Sequence, residues 1–117
     1  MNNRELESRV VDFSTNVMNW AYHLGKEGAV SNMKDQILRS VSAVALNYGE
    51  AQSAESKKDF IHKIGIVLKE LRETSINLKI LGKLDFIQKD QKIESMLKES
   101  DELIAIFYKT LQTARKK

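Results

Sequence analysis

Cysteine and proline are absent from the 117 residues, and glycine occurs only five times. Without cysteine there is no disulfide, no thiolate metal ligand and no thiol nucleophile. An all-β sandwich turns back on itself repeatedly and relies on proline and glycine to do so, which disfavours that class. Long apolar runs are missing too. The longest, Leu103-Ile104-Ala105-Ile106-Phe107-Tyr108, falls far short of the roughly 20 residues of a membrane span. The opening Met-Asn-Asn-Arg-Glu-Leu-Glu places acids where a signal peptide needs an apolar centre. A cytoplasmic protein without membrane association is therefore expected. What remains is ordinary globular composition, 42% hydrophobic and 30% charged with a net charge of +3, at a length that suits a single domain over residues 1–117.

Apolar spacing organises the chain. Leu6, Val10, Phe13, Val17, Trp20 and Leu24 alternate steps of four and three, which keeps them on one face of a first helix over about 3–24. Gly25 is placed as its stop, and Gly25 and Gly28 bracket a connector. Ser31 suits the N-cap of a second helix over about 32–52, whose face runs Met33, Ile37, Val41, Val44 and Tyr48. Ser56 with Asp59 resembles a capping box for a third helix over about 57–81. There Phe60, Ile64, Val67, Leu71, Thr74, Leu78 and Leu81 hold the alternation for three heptads, flanked by Ile61 and Leu68. Gly82 stands where a left-handed C-cap would. Asp85 and Gln88 offer the caps of a fourth helix over about 86–114, with Ile93, Leu97, Ser100, Ile104, Phe107 and Leu111 along it. Arg115, Lys116 and Lys117 end the chain, favourable beside the negative end of a helix dipole.

Short connectors make successive helices antiparallel, so the expected architecture is all-α: an up-down-up-down four-helix bundle with a slight left-handed supercoil. The same spacing admits two long hairpins that complete a bundle only as a dimer. Four similar stripes favour the self-contained form.

The second helix carries more apolar residues than one stripe needs. Its run Val41-Ser42-Ala43-Val44-Ala45-Leu46-Asn47-Tyr48 leaves few positions that want water. Leu38 and Leu46 on this helix, with Ile66, Ile76 and Ile80 on the third, fall off the main seam. Scattered surface hydrophobes are common; taken together, these five predict a self-association face.

A search for chemistry finds little. A ferritin-like metal site needs two Glu-x-x-His pairs and two more carboxylates, whereas Asp59 and His62 supply the spacing only once and His23 has Trp20 three residues before it. Ser31-Asn32-Met33-Lys34 matches Ser-x-x-Lys without the accompanying elements. Neither Gly-x-Gly-x-x-Gly nor a phosphate-binding Gly-rich loop is present. The pairs Asp101 with Glu102, and Glu70 with Glu73, sit among lysines as solvated helix charges. No enzyme activity, metal or cofactor is expected.

Charge placement says more. Residues 56–84 carry seven basic groups (Lys57, Lys58, Lys63, Lys69, Arg72, Lys79, Lys83) against Asp59, Glu70 and Glu73, a net +4. Residues 85–114 come to −2. On the third helix Lys58, His62, Lys69, Arg72, Lys79 and Lys83 step by four, seven, three, seven and four, and so form one ridge. A solvated helix face explains such a ridge; so does a track for a nucleic-acid phosphate backbone, with Arg115, Lys116 and Lys117 adding to it. Repetition of the ridge in an oligomer would multiply the phosphate contacts. A protein partner recruited by the surplus apolar surface is the competing expectation.

Several short motifs recur in a fixed order: Gln36-Ile37 with Arg39, then Asn47 and Glu50 as Asn-x-x-Glu, then Ser56-Lys57-Lys58-Asp59-Phe60-Ile61, then Leu81-Gly82-Lys83-Leu84 before Asp85. In these the chain resembles the four-helix-bundle proteins encoded within intervening sequences of bacterial 23S ribosomal RNA genes. The likeness runs from about the second helix to the fourth. It departs where the family has a proline within helix two, here Ala45, and a glycine after the glutamate, here Ala51; an unbroken second helix is expected in consequence. The resemblance implies a homopentamer of antiparallel bundles, and a ribosomal label that reflects gene location. The fold is also similar to that of the accessory protein of diversity-generating retroelements, which implies a basic pentamer associating with nucleic acid, RNA or DNA, and with a protein partner. Asn47 and Glu50 fit a structural part, satisfying each other or nearby backbone.

Overall fold

The computed structural model describes residues 1–25, 28–85, 87 and 91–116. Four helices follow in order: α1 (Asn3–Tyr22), α2 (Gly28–Gln52), α3 (Lys57–Lys83) and α4 (Gln91–Lys116). Helices of this length are roughly 30–40 Å long, in keeping with a body of 48 × 23 × 20 Å. Each packs on its chain neighbours, and α1 packs on α4, which closes the up-down-up-down ring. α1 and α3 therefore occupy opposite corners.

The core is built from the anticipated stripes. Val10, Phe13 and Val17 meet Ile37, Val41, Val44 and Tyr48 from α2, Ile64, Val67, Leu71, Leu78 and Leu81 from α3, and Leu103 and Phe107 from α4. The Tyr48 and Phe107 rings meet edge to face at 5.2 Å. Thr74, the one polar member of the α3 stripe, is fully buried and donates to the Glu70 carbonyl at 2.9 Å. Ser100 does the same toward the Leu97 carbonyl, and Ser14 bridges helices by donating to the Val41 carbonyl at 3.1 Å. Such partners remove the cost of burying a hydroxyl. On α4 the buried line is Ile93, Met96, Ser100, Leu103, Phe107 and Leu111, with Leu97 and Ile104 half-buried beside it.

Helix ends depart from expectation where local chemistry and packing disagree. α1 stops at Tyr22, capped by the His23 N–H on the Trp20 and Ala21 carbonyls, so neither Leu24 nor a glycine stop is used. At its start Asn2 accepts from the Glu5 N–H at 2.8 Å. α2 begins at Gly28, and Ser31 lies inside the helix and not at its cap. The reason is Val30, which is buried in register with Met33 and Ile37 and extends the stripe backward. Gly28 has φ of 38°, a conformation that glycine alone adopts cheaply. α2 then runs unbroken through Ala45 to Gln52. The Ser56 hydroxyl caps α3 by accepting from the Asp59 N–H at 3.0 Å.

Gly82 is not a left-handed cap either. α3 continues to Lys83 and ends on the extended Leu84. A Cβ at Gly82 would lie 3.1 Å from Ile93 Cγ2, so the missing side chain lets α4 close onto α3. Asp85 lies in a turn before α4, whose described start is Gln91, not 86; Gln88 and Lys117 lie outside the described residues.

Candidate nucleic-acid interface

Because α3 turns its apolar stripe inward, the opposite side is forced outward. Lys57, Lys58, Lys69, Arg72, Lys79 and Lys83 are all accessible at the surface, and none forms an ion pair among the described residues. From Lys58 to Lys83 this cationic line spans roughly 37 Å. The end of α4 joins it: exposed Arg115 shares an open depression with Lys58, His62 and Lys69. Lys116 is exposed one residue beyond. Lys57 and Lys109 flank a second depression floored by Phe60 and Ile106.

Lys63 stands apart from this line. It is half-buried, and its ammonium donates to Glu50 Oε1 at 2.8 Å. That hydrogen bond holds the Lys63 ammonium above the ordinary lysine range. Glu50 is therefore an α2–α3 tie, while Asn47 donates to the Ala43 carbonyl at 2.8 Å.

Glu70 and Glu73 are not solvated helix charges. Glu70 is buried, 5% exposed, and accepts from Arg39 Nη1 at 3.1 Å. Half-buried Glu73 accepts from Arg39 Nη2 at 2.7 Å and from the Ser40 hydroxyl at 3.2 Å. The Arg39 hydrogen bond pulls the Glu73 carboxyl below its usual range, and the Glu73 contact in turn raises Arg39. Arg39 thus pairs with the two acids nearest Lys69 and Arg72; those two cations, with Arg39, Glu73, Ile76 and Asn77, line the groove between α2 and α3. Arg39 offsets one of the two carboxylate charges, so the solvent-facing ridge keeps less opposing charge beside it than the α3 sequence alone suggests. Spacing along α3 alone could not reveal this, because the neutralising arginine comes from α2.

Of the five residues expected to drive association, Leu46 (66%), Ile76 (54%) and Ile80 (44%) are exposed. Ile66 is half-buried, and Leu38 is half-buried and packs against the core. A further apolar line escapes the sequence reading: Val11, Met18 and Tyr22 on α1 step by seven and four and are all exposed. Its periodicity is legible but lies on the side opposite the core stripe. Among the described residues no three of His, Asp or Glu converge as metal ligands, and no helix is long and apolar enough to cross a membrane.

Comparison with known proteins agrees with this architecture. A family model described as 23S rRNA-intervening sequence protein matches residues 4–109. The fold is similar to a crystal structure of a protein with unknown function from the S23 ribosomal protein family of Bacteroides thetaiotaomicron VPI-5482, at 30% identity and a TM-score of 0.79, covering 90% of this chain and 96% of that one. A comparison with curated proteins finds no match.

Proposed function

The chain belongs to the 23S rRNA-intervening sequence protein family, and from that premise we propose that it is a non-catalytic, self-associating cytoplasmic bundle that binds nucleic acid. The contacts are to phosphates, made by Lys57, Lys58, Lys69, Arg72, Lys79 and Lys83 of α3 with Arg115 and Lys116 of the α4 end, and by Lys117, which follows them in the sequence. The observation that carries this reading is the row of outward α3 cations, none ion-paired among the described residues, beside acids that Arg39 partly offsets. Lys63 contributes to α2–α3 packing and not to the ligand. The ridge from Lys58 to Lys83 exposes no Phe, Tyr or Trp, so affinity comes from charge and not from base reading. Self-association rests on exposed Leu46 of α2, since Ile76 and Ile80 share the face of the cationic line, and the homopentamer is what the resemblance implies. A ring repeats the ridge and raises avidity.

A gel shift with mixed-sequence RNA and DNA at low and high salt tests the proposal. Binding at low salt that weakens steeply on salt addition is expected. Absence of a shift at low salt overturns it.

One observation favours a second reading, a protein adaptor. Ile76 and Ile80 lie within the cationic line, which suits an apolar partner with acidic flanks. Recovery of a stoichiometric partner from native lysate after nuclease treatment supports the adaptor; loss of all partners on nuclease treatment supports the nucleic-acid reading.

A further inference from the structure

Arg9 of α1 clamps Glu99 and Glu102 of α4 at 2.7 and 3.0 Å. Alongside this clamp the two helices border a half-open cleft of about 630 Å³, within the size of small-molecule sites. Asn16, Asn19, Trp20 and His23 reach it at helical spacing from α1, with Lys92 and Met96 opposite on α4. Both asparagines are exposed, and neither amide has a hydrogen-bond partner among the described residues, so both are available to a ligand in the cleft. We propose that this cavity binds a nucleobase bearing a phosphate.

The chemistry of the lining selects that class. Trp20, half-buried against the core, offers a flat face for stacking, and Met96 supplies an apolar wall. An asparagine amide presents a donor and an acceptor side by side, matching the edge of a base. His23 lines the same cleft, and its ring N–H can donate to the phosphate. The site is independent of the α3 ridge, since α1 and α3 lie at opposite corners of the bundle. Its ligand is either a free nucleotide or the end of a nucleic-acid strand, which present the same group.

Trp20 is the only tryptophan, so its indole N–H resonance reports on this cavity alone. Titration with the four ribonucleoside 5′-monophosphates, the matching dinucleotides and inorganic phosphate is the test. A saturable shift with at least one monophosphate, weakened about tenfold or more by Asn16→Ala with Asn19→Ala at unchanged helical circular dichroism, is expected. A comparable response to the dinucleotide identifies a strand end as the source; a response to the monophosphate alone identifies a free nucleotide. No shift at millimolar nucleotide, an equal shift with inorganic phosphate, or a shift indifferent to the asparagine changes overturns the proposal. Charge reversal at Lys69 and Lys79 leaves the Trp20 response intact, which separates this site from the ridge.

Discussion

Arg39 crosses from α2 to place its guanidinium on the buried carboxylate of Glu70, while its own side chain stays 60% exposed. The same guanidinium holds Glu73 at 2.7 Å. One exposed arginine thus makes a buried acid tolerable and offsets part of the negative charge beside the adjoining α3 cations. A buried charge that loses its partner is strongly unfavourable. Arg39→Ala is therefore expected to lower the melting temperature more when Glu70 is present than in a Glu70→Gln background. Thermal melts of the four proteins in this cycle measure the coupling; equal losses in both backgrounds contradict it.

The same network sets an acid dependence. The Glu73 carboxyl is held low by Arg39, so the stability it confers is present above its unfolded pKa, about 4.3, and is lost as pH falls through the folded value. Denaturant midpoints measured from pH 6 down to about pH 3 should fall less steeply for Glu73→Gln than for the wild type. An identical slope removes Glu73 from the account.

Gly28 opens α2 with φ of 38°. A side chain there meets the penalty of left-handed backbone, so Gly28→Ala should cost about 1–2 kcal/mol. Open space around the position leaves backbone conformation as the cause. Chemical denaturation checks it, and a neutral outcome would mean the connector relaxes.

Phe107 is fully buried and edge-on to Tyr48. Phe107→Ala should destabilise by about 3–5 kcal/mol through reduced burial and the cavity left behind. The unfolding midpoint in urea reads this directly.

Self-association has its own check. Light scattering after size exclusion should give a multiple of the 13.4 kDa chain, and Leu46→Asp should shift it toward a smaller species without loss of helicity. A wild-type monomer contradicts the self-association part of the account.

Much of the fold is legible in the sequence because a heptad-like stripe states both the helix and its buried face. Phe13, Ile37, Leu71 and Phe107 are placed by spacing alone. Helix ends are not: Ser31 has the right side chain for a cap, but burial of Val30 carries α2 past it. Gly82 suggests backbone freedom, when its actual use is room for Ile93. The burial of Glu70 is invisible along α3 because it depends on an arginine 31 residues away in the chain. The Trp20 cleft depends on how α1 and α4 come together, which no single helix encodes.

The central claim is that outward cations of α3 bind phosphates, and one measurement addresses it most directly. Fluorescence anisotropy of a labelled mixed-sequence RNA is titrated across a salt series, with wild type and with Lys69→Glu, Arg72→Glu, Lys79→Glu combined. The wild type should bind at low salt. The triple variant should bind more weakly, with a log–log salt slope shallower by about 0.7–0.9 for each phosphate it no longer neutralises. Equal affinity and equal slope for the two proteins would contradict the claim.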